Sequence, residues 1–196
     1  MNSNGLRVTG CVSEGTNNWS RCKSVRLLLG LIVIGMVLAA CTNEDLARDF
    51  QITAYQGEDV LGGQEIKFSD LLAQGNPVVL NMWAGLCPPC RAEMPDLQEV
   101  YEEHKDRVLL FGLDIGPFVG LGSREDGQAL LEELNITYPA GTTFDADAVR
   151  DYQVLGMPTT YFIKPNGEII NQWTGLLTKD KTIELVEELL AASSNP

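Results

Sequence analysis

The chain is poor in histidine, cysteine and basic residues, and each shortage argues against a class of function. Its 196 residues include one histidine, His104, which argues against a histidine-rich metal site and a Ser-His-Asp triad. Five cysteines are too few for a fold of this size that depends on disulfide bonds for its stability, so each cysteine needs its own interpretation. The chain has only 14 basic residues against 27 acidic ones, and its net charge of −13 repels polyanions such as nucleic acids. We therefore expect no nucleic-acid partner, no metal and no cofactor.

The longest apolar run lies near the N-terminus and predicts an export signal. Arg21, Lys23 and Arg26 precede the apolar residues 27–40. This run is shorter than the roughly 20 residues that an ordinary membrane-spanning helix needs. A basic flank followed by a short apolar stretch and small residues is typical of a secretory signal peptide.

The run ends in Leu38-Ala39-Ala40-Cys41, which resembles the lipobox of bacterial lipoproteins. The resemblance implies that residues 1–40 are removed and that the Cys41 sulfur carries a diacylglycerol. An uncleaved N-terminal anchor, with Cys41 as a bystander, is the alternative. Both interpretations place the domain on the extracytoplasmic side of a cell membrane, with residues 41–50 as a tether.

Strand and helix patterns alternate over residues 51–194 and predict one α/β domain. After an N-terminal extension, their order is β-α-β-α-β-β-α, which predicts a central mixed sheet of four to five strands with helices on both faces. A Gly-rich loop is predicted at 116–123. The predicted strands are 51–55, 77–83, 108–115, 159–163 and 168–174, and the predicted helices are 69–73, 91–105, 124–135, 147–152 and 178–192.

The motif Cys87-Pro88-Pro89-Cys90 lies between the predicted strand 77–83 and the following helix. Free backbone N–H groups at a helix N-terminus stabilise a thiolate on the first cysteine. The second cysteine lies nearly one turn later, close enough to form a disulfide with the first. The pattern predicts that Cys87 attacks a partner disulfide and that Cys90 resolves the mixed disulfide. A purely structural disulfide and half of a zinc site are the alternatives.

Two segments resemble a known family. Asn81-Met-Trp-Ala-Gly-Leu-Cys-Pro-Pro-Cys-Arg-Ala-Glu-Met-Pro95 is similar to the active-site segment of thioredoxin-like proteins, most of all the membrane-anchored TlpA/ResA type. Gly156-Met-Pro-Thr-Thr-Tyr-Phe-Ile163 resembles the cis-proline segment of that family. The resemblance implies a thioredoxin fold, a redox-active Cys87–Cys90 disulfide and a cis bond before Pro158. It also implies substrate contacts at Met157, Pro158 and Trp83.

The sequence departs from the family at the residues that would bind partners and move protons. Leu86 replaces the tryptophan that usually precedes the first cysteine, and Asn81 replaces the buried aspartate of thioredoxin. Asp114 and Glu93 are the candidate proton acceptors. A strand-end aspartate that faces water or caps a turn, and a glutamate that merely suits a first helical turn, are the alternatives. His104 is predicted to be a solvated helix residue.

The resemblance implies a membrane-tethered thiol–disulfide oxidoreductase that reduces specific protein disulfides. Its substrates would include apocytochrome c before haem attachment, as in cytochrome c-type biogenesis. A reductant outside the cytoplasm needs electrons, typically from a transmembrane thiol donor. A thiol peroxidase-like antioxidant protein is one alternative, although such proteins usually use T-x-x-C with an activating arginine. A non-enzymatic binding lipoprotein with an inert dithiol is another.

Overall fold

A computed structural model describes residues 45–194, so the predicted signal peptide and the lipidation site Cys41 lie outside the described residues. Among residues 45–194, no helix combines the length and the apolar composition that a membrane-spanning segment requires. The strands are β1 (Gln51–Gln56), β2 (Glu65–Lys67), β3 (Val78–Trp83), β4 (Leu109–Asp114), β5 (Ala140–Thr142), β6 (Thr159–Ile163) and β7 (Ile169–Thr174). The helices are α1 (Glu58–Leu61), α2 (Phe68–Ala73), α3 (Pro88–His104), α4 (Gly116–Val119), α5 (Arg124–Glu133), α6 (Ala146–Asp151) and α7 (Lys179–Ser193).

All seven described strands form one mixed sheet in the order β2-β1-β5-β4-β3-β6-β7. Strand β3 is parallel to β4 and antiparallel to β6. The predicted α/β class is confirmed, but the predicted size of four to five strands is wrong. Strands β2 and β5 have three residues each, which is too short to produce an alternating pattern in the sequence.

Strand β3 is buried on both faces, which explains its run of apolar residues without alternation. Val79 and Trp83 contribute to a core with side chains of α3, α5 and α7. Leu80 and Met82 contribute to a second core with side chains of α2 and α6. Two covered faces fix the position of β3, and therefore of the residues that follow it.

Residues 45–50, predicted as part of a tether, pack on the domain instead. Leu46 forms an isolated antiparallel bridge with Glu168. Phe50 is 4% exposed and stacks on Phe68, with the ring centroids 5.0 Å apart. Burial of the apolar Phe50 ring is favourable, and it holds residues 45–50 against the second core.

Two further local predictions were wrong. His104, predicted to be solvated, is 7% exposed, because the last turn of α3 packs near α7. Its Nδ1 lies 3.7 Å from Oε1 of Glu187 on α7 and 2.7 Å from Nη2 of Arg107. The Gly-rich segment 116–123, predicted as a loop, contains the one-turn helix α4.

Candidate active site

The two cysteines of the Cys-Pro-Pro-Cys motif form a disulfide at the start of α3. Their Cα atoms are 5.3 Å apart. Cys87 is the N-cap residue, and its Sγ accepts a hydrogen bond from the Cys90 backbone N–H at 3.3 Å. Pro88 and Pro89 fill the first helical turn, where a backbone N–H has no intrahelical partner. The sulfur that is predicted to attack therefore sits at the positive end of a 17-residue helix.

The turn between β3 and Cys87 is held by contacts with the segment around α5. The Leu86 N–H donates to the Leu121 carbonyl at 2.8 Å. A Cβ on Gly85 would lie 2.6 Å from the Asp126 carbonyl carbon and from the Gly127 nitrogen, both backbone atoms. Only glycine allows the turn to approach α5 so closely. Leu86 itself remains 60% exposed beside the disulfide.

Trp83 does not lie on the surface, which contradicts its predicted contact with substrate. The side chain is fully buried. Glycines border its ring: a Cβ on Gly112 would be 2.9 Å from the indole Nε1, and one on Gly127 would be 3.5 Å from Cη2. Trp83 thus supports the active-site turn from within the core.

Met157 and Pro158 are joined by a cis peptide bond at the same end of the sheet. The pairing of β3 with β6 ends at Met82 opposite Thr159, so the next opposed positions are Trp83 and Pro158. Met157 is half-buried and packs against the core cluster that includes both cysteines. The fold therefore brings the predicted cis-proline segment to the end of β3 that leads into the disulfide.

Glu93 is fully buried one turn after Cys90 on α3. Its Oε1 accepts from Asn81 Nδ2 at 2.8 Å, and its Oε2 accepts from the Leu177 N–H at 2.8 Å. Burial raises the pKa of Glu93 to about 7, although both hydrogen bonds oppose the rise. This carboxyl group can exchange a proton near neutral pH.

Asp114 is also fully buried, so the interpretation of a strand-end aspartate facing water is wrong. Its Oδ1 accepts from the Gly116 N–H at 2.9 Å, which caps the turn into α4. Its Oδ2 accepts from the Tyr55 hydroxyl at 3.0 Å. Burial raises the pKa of Asp114 to about 6, against the lowering effect of these hydrogen bonds and of Arg124.

Tyr55 and Gly127, the two residues that hold and accommodate the Asp114 carboxylate, were not predicted from the sequence. Tyr55 precedes it by 59 positions in the chain. A Cβ on Gly127 would overlap the Asp114 Oδ2 and lie 2.9 Å from its Cγ. No local pattern signals either partner, because both contacts arise from the packing of α5 and β1 around the end of β4.

A C-x-x-C disulfide at the start of a helix, after a central strand and beside a cis-proline, defines a thioredoxin-fold thiol–disulfide oxidoreductase. The AhpC/TSA family model matches residues 44–172, and the chain belongs to this family.

Relatives with this activity in their names confirm the predicted fold and enzyme class. The thiol-disulfide oxidoreductase ResA of Oceanobacillus iheyensis is 36% identical over 137 residues, which cover 70% of this chain and 67% of that protein. Sporulation thiol-disulfide oxidoreductase A of Bacillus subtilis is 26% identical over 169 residues, or 83% of this chain and 93% of that protein. The crystal structure of a thiol:disulfide interchange protein DsbE from Chlorobium tepidum superposes with a TM-score of 0.61 at 25% identity, covering 76% of this chain and 96% of that one.

Proposed function

We propose that the chain is a membrane-tethered, extracytoplasmic reductase of protein disulfides in which Cys87 attacks and Cys90 resolves. The observation that carries the proposal is the Cys90 N–H directed at the Cys87 sulfur. A helix N-terminus stabilises negative charge on that sulfur, and the thiolate is the reactive form of cysteine.

The reaction begins from the reduced dithiol. The Cys87 thiolate attacks one sulfur of a partner disulfide, whose S–S bond breaks as a mixed disulfide forms and one partner thiolate leaves. Cys90 then loses its proton and attacks the Cys87 sulfur. This step closes the Cys87–Cys90 disulfide and releases the second partner thiolate. Two electrons pass to the partner, and we propose that a transmembrane thiol donor returns two electrons to the chain.

Glu93 is the proton acceptor that the geometry favours for Cys90. The two residues are three positions apart on α3, which places them on the same face of the helix. A carboxyl group with a pKa of about 7 is suited to accept a proton at neutral pH. Asp114 is on β4 rather than on the helix of Cys90, and it packs against Gly127 of α5, so we assign it a positioning role instead.

The proposed substrates are disulfides in extended segments of exported proteins, including apocytochrome c before haem attachment. We propose that such a segment lies along Met157 and Pro158, next to the exposed Leu86 side chain. This proposal is supported by the position of Met157 and Pro158, which lie at the same end of the sheet as the disulfide. A lipid on Cys41 would hold the domain at the membrane surface.

Reduction of insulin disulfides tests the chemistry. We expect Cys87→Ser to abolish the reaction, whereas Cys90→Ala should accumulate mixed disulfides with its substrate. Cys41→Ser is the control, because the Cys41 sulfur takes no part in the proposed reaction and its replacement should leave insulin reduction unchanged. Retained activity in Cys87→Ser would contradict the mechanism.

A redox titration and a defined substrate test the direction of electron flow. A reduction potential near that of thioredoxin, roughly −270 mV, would support a reductase, and one near −120 mV would support an oxidase instead. The reduced protein should also open the disulfide of an apocytochrome c peptide. Ala84 stands where T-x-x-C would require threonine, so hydrogen peroxide consumption with a thiol donor should be negligible.

A further inference from the structure

Glu93 is buried with only part of its hydrogen-bonding capacity used. An ionised carboxylate offers about four acceptor positions. In the structure each oxygen accepts one bond, from Asn81 Nδ2 and from the Leu177 N–H. The side chain is fully buried, so bulk water does not supply further donors. Any additional stabilisation of the ionised form must come from groups inside the protein.

Three buried polar atoms on the same side of the sheet have no hydrogen-bond partner among residues 45–194: Asn81 Oδ1, Trp83 Nε1 and the Tyr138 hydroxyl. Asn81 and Trp83 are two positions apart on β3, so both side chains project from one face. Gly112 on β4 pairs with Asn81 in register. A Cβ on Gly112 would lie 2.9 Å from Trp83 Nε1 and 3.0 Å from Tyr138 Cε2. The three residues therefore meet around Gly112, next to the Asn81 amide that binds Glu93.

The chemistry of these atoms matches that of a water molecule. Asn81 Oδ1 is an acceptor, Trp83 Nε1 is a donor, and the Tyr138 hydroxyl can act as both. A buried polar atom left unpaired destabilises the fold, because it has lost its hydrogen bonds to water without replacing them. Buried waters typically make about three hydrogen bonds to such groups. One water molecule within hydrogen-bond distance of all three atoms would satisfy each of them.

The Tyr138 hydroxyl is also within electrostatic range of Glu93. Burial raises the pKa of Tyr138, and the charge of Glu93 raises it further. The hydroxyl therefore stays neutral and keeps its proton available for donation.

We propose that Asn81, Trp83 and Tyr138 bind one buried water molecule, and that the Tyr138 hydroxyl orients this water toward the Glu93 carboxylate. The inference rests on the proposed function, in which Glu93 accepts the proton from Cys90. Tyr138 is then a positioning residue that acts on Glu93 through the water. A donor directed at an ionised carboxylate favours the ionised form. Tyr138 thereby keeps Glu93 able to accept a proton at neutral pH.

The test compares the titration of Glu93 in the wild-type chain and in Tyr138→Phe, both full-length and reduced. The probe is the ¹³C NMR shift of the Glu93 side-chain carboxyl group, assigned with Glu93→Gln. We expect Tyr138→Phe to raise the titration midpoint of Glu93 by about half a pH unit or more. Tyr101→Phe is the matched control, because this ring packs against Tyr138 at 6.3 Å but is partly exposed. It should leave the midpoint unchanged.

A second measurement detects the water directly. The indole N–H of Trp83 should show a cross-peak to a long-lived water molecule, and this cross-peak should disappear in Tyr138→Phe. An unchanged Glu93 midpoint in Tyr138→Phe would overturn the inference, as would a wild-type indole without a water cross-peak. Insulin reduction by the wild-type chain is measured separately. Its absence would refute the proposed function, while the two NMR measurements would still decide the water site.

Discussion

Replacing Gly127 with alanine tests whether the Asp114 carboxylate is as firmly held as its contacts indicate. Gly127 lies within α5, where alanine would ordinarily stabilise the helix by about 1 kcal/mol. Here the new methyl group would overlap the Asp114 Oδ2 and lie 2.9 Å from its Cγ. Asp114 cannot move away freely, because Tyr55 and Gly116 each donate a hydrogen bond to it.

The expected cost follows from these contacts. Overpacking a buried site costs about 1–3 kcal/mol. Displacing the carboxylate also weakens its bond with Tyr55, and hydrogen bonds to charged groups contribute about 1.5–3 kcal/mol. After subtraction of the helix-propensity gain, we expect Gly127→Ala to lower the free energy of unfolding by about 2 kcal/mol. For a domain of this size that corresponds to a decrease in Tm of about 4–8 °C.

Urea denaturation of the oxidised chain, arranged as a double-mutant cycle, measures the effect. In an Asp114→Ala background the methyl group has room, so Gly127→Ala should become neutral or stabilise by up to about 1 kcal/mol. Ala129→Gly on the exposed face of α5 calibrates helix propensity in the same helix. If Gly127→Ala has the same effect with and without Asp114, the argument that this contact constrains the carboxylate is refuted.

Three further predictions concern the active-site end of the sheet. Burial raises the pKa of Glu93 to about 7 from the ordinary 4.5, so this group should cost the wild type about 3 kcal/mol of stability as pH rises through this interval. Urea denaturation of Glu93→Gln at several pH values should show a loss smaller by that amount, and the part due to the raised pKa of Asp114 should remain. Leu86→Ser should raise the KM for insulin about 3–10-fold, because it removes apolar area that would contact the substrate. The Tm and the rate of reaction with a small aromatic disulfide should stay unchanged. An unaltered KM would count against Leu86 as a substrate contact. Gly85→Ala should slow the attack of Cys87 on a substrate disulfide, because the new Cβ would clash with the α5 backbone at Asp126. Stopped-flow measurement of mixed-disulfide formation gives this rate. A wild-type rate would show that the close contact between Gly85 and α5 is unimportant for the attack.

The sequence was sufficient to predict the central elements because their signals are local. The run 78–83 is apolar on both faces, and this alone predicts a buried central strand. Cys87 and Cys90 follow this strand, and because they are three positions apart, a helical turn brings them close together. Pro158 was recognised from its own short motif. None of these inferences required knowledge of distant contacts.

The rest of the site depends on contacts between distant parts of the chain, which a single sequence does not reveal. Strand β5 has three residues and is defined by its neighbours β1 and β4. The burial of Asp114 depends on Tyr55 and on the missing side chain of Gly127. Trp83 belongs to the buried run 78–83, but the space for its large ring comes from Gly112 and Gly127, which are distant in the chain.

The bridge between Leu46 and Glu168 has a consequence for how a partner would approach the protein. Glu168 precedes β7, beside the Ile163–Ile169 pair, and Ile163 in turn pairs with Val78 at the start of β3. The disulfide follows the opposite terminus of β3, roughly 17 Å away along a six-residue strand. The bridge at Leu46 therefore lies at one end of the sheet, and the disulfide lies at the other. A bulky, partly folded client that docked at the disulfide would therefore leave the Leu46–Glu168 bridge undisturbed.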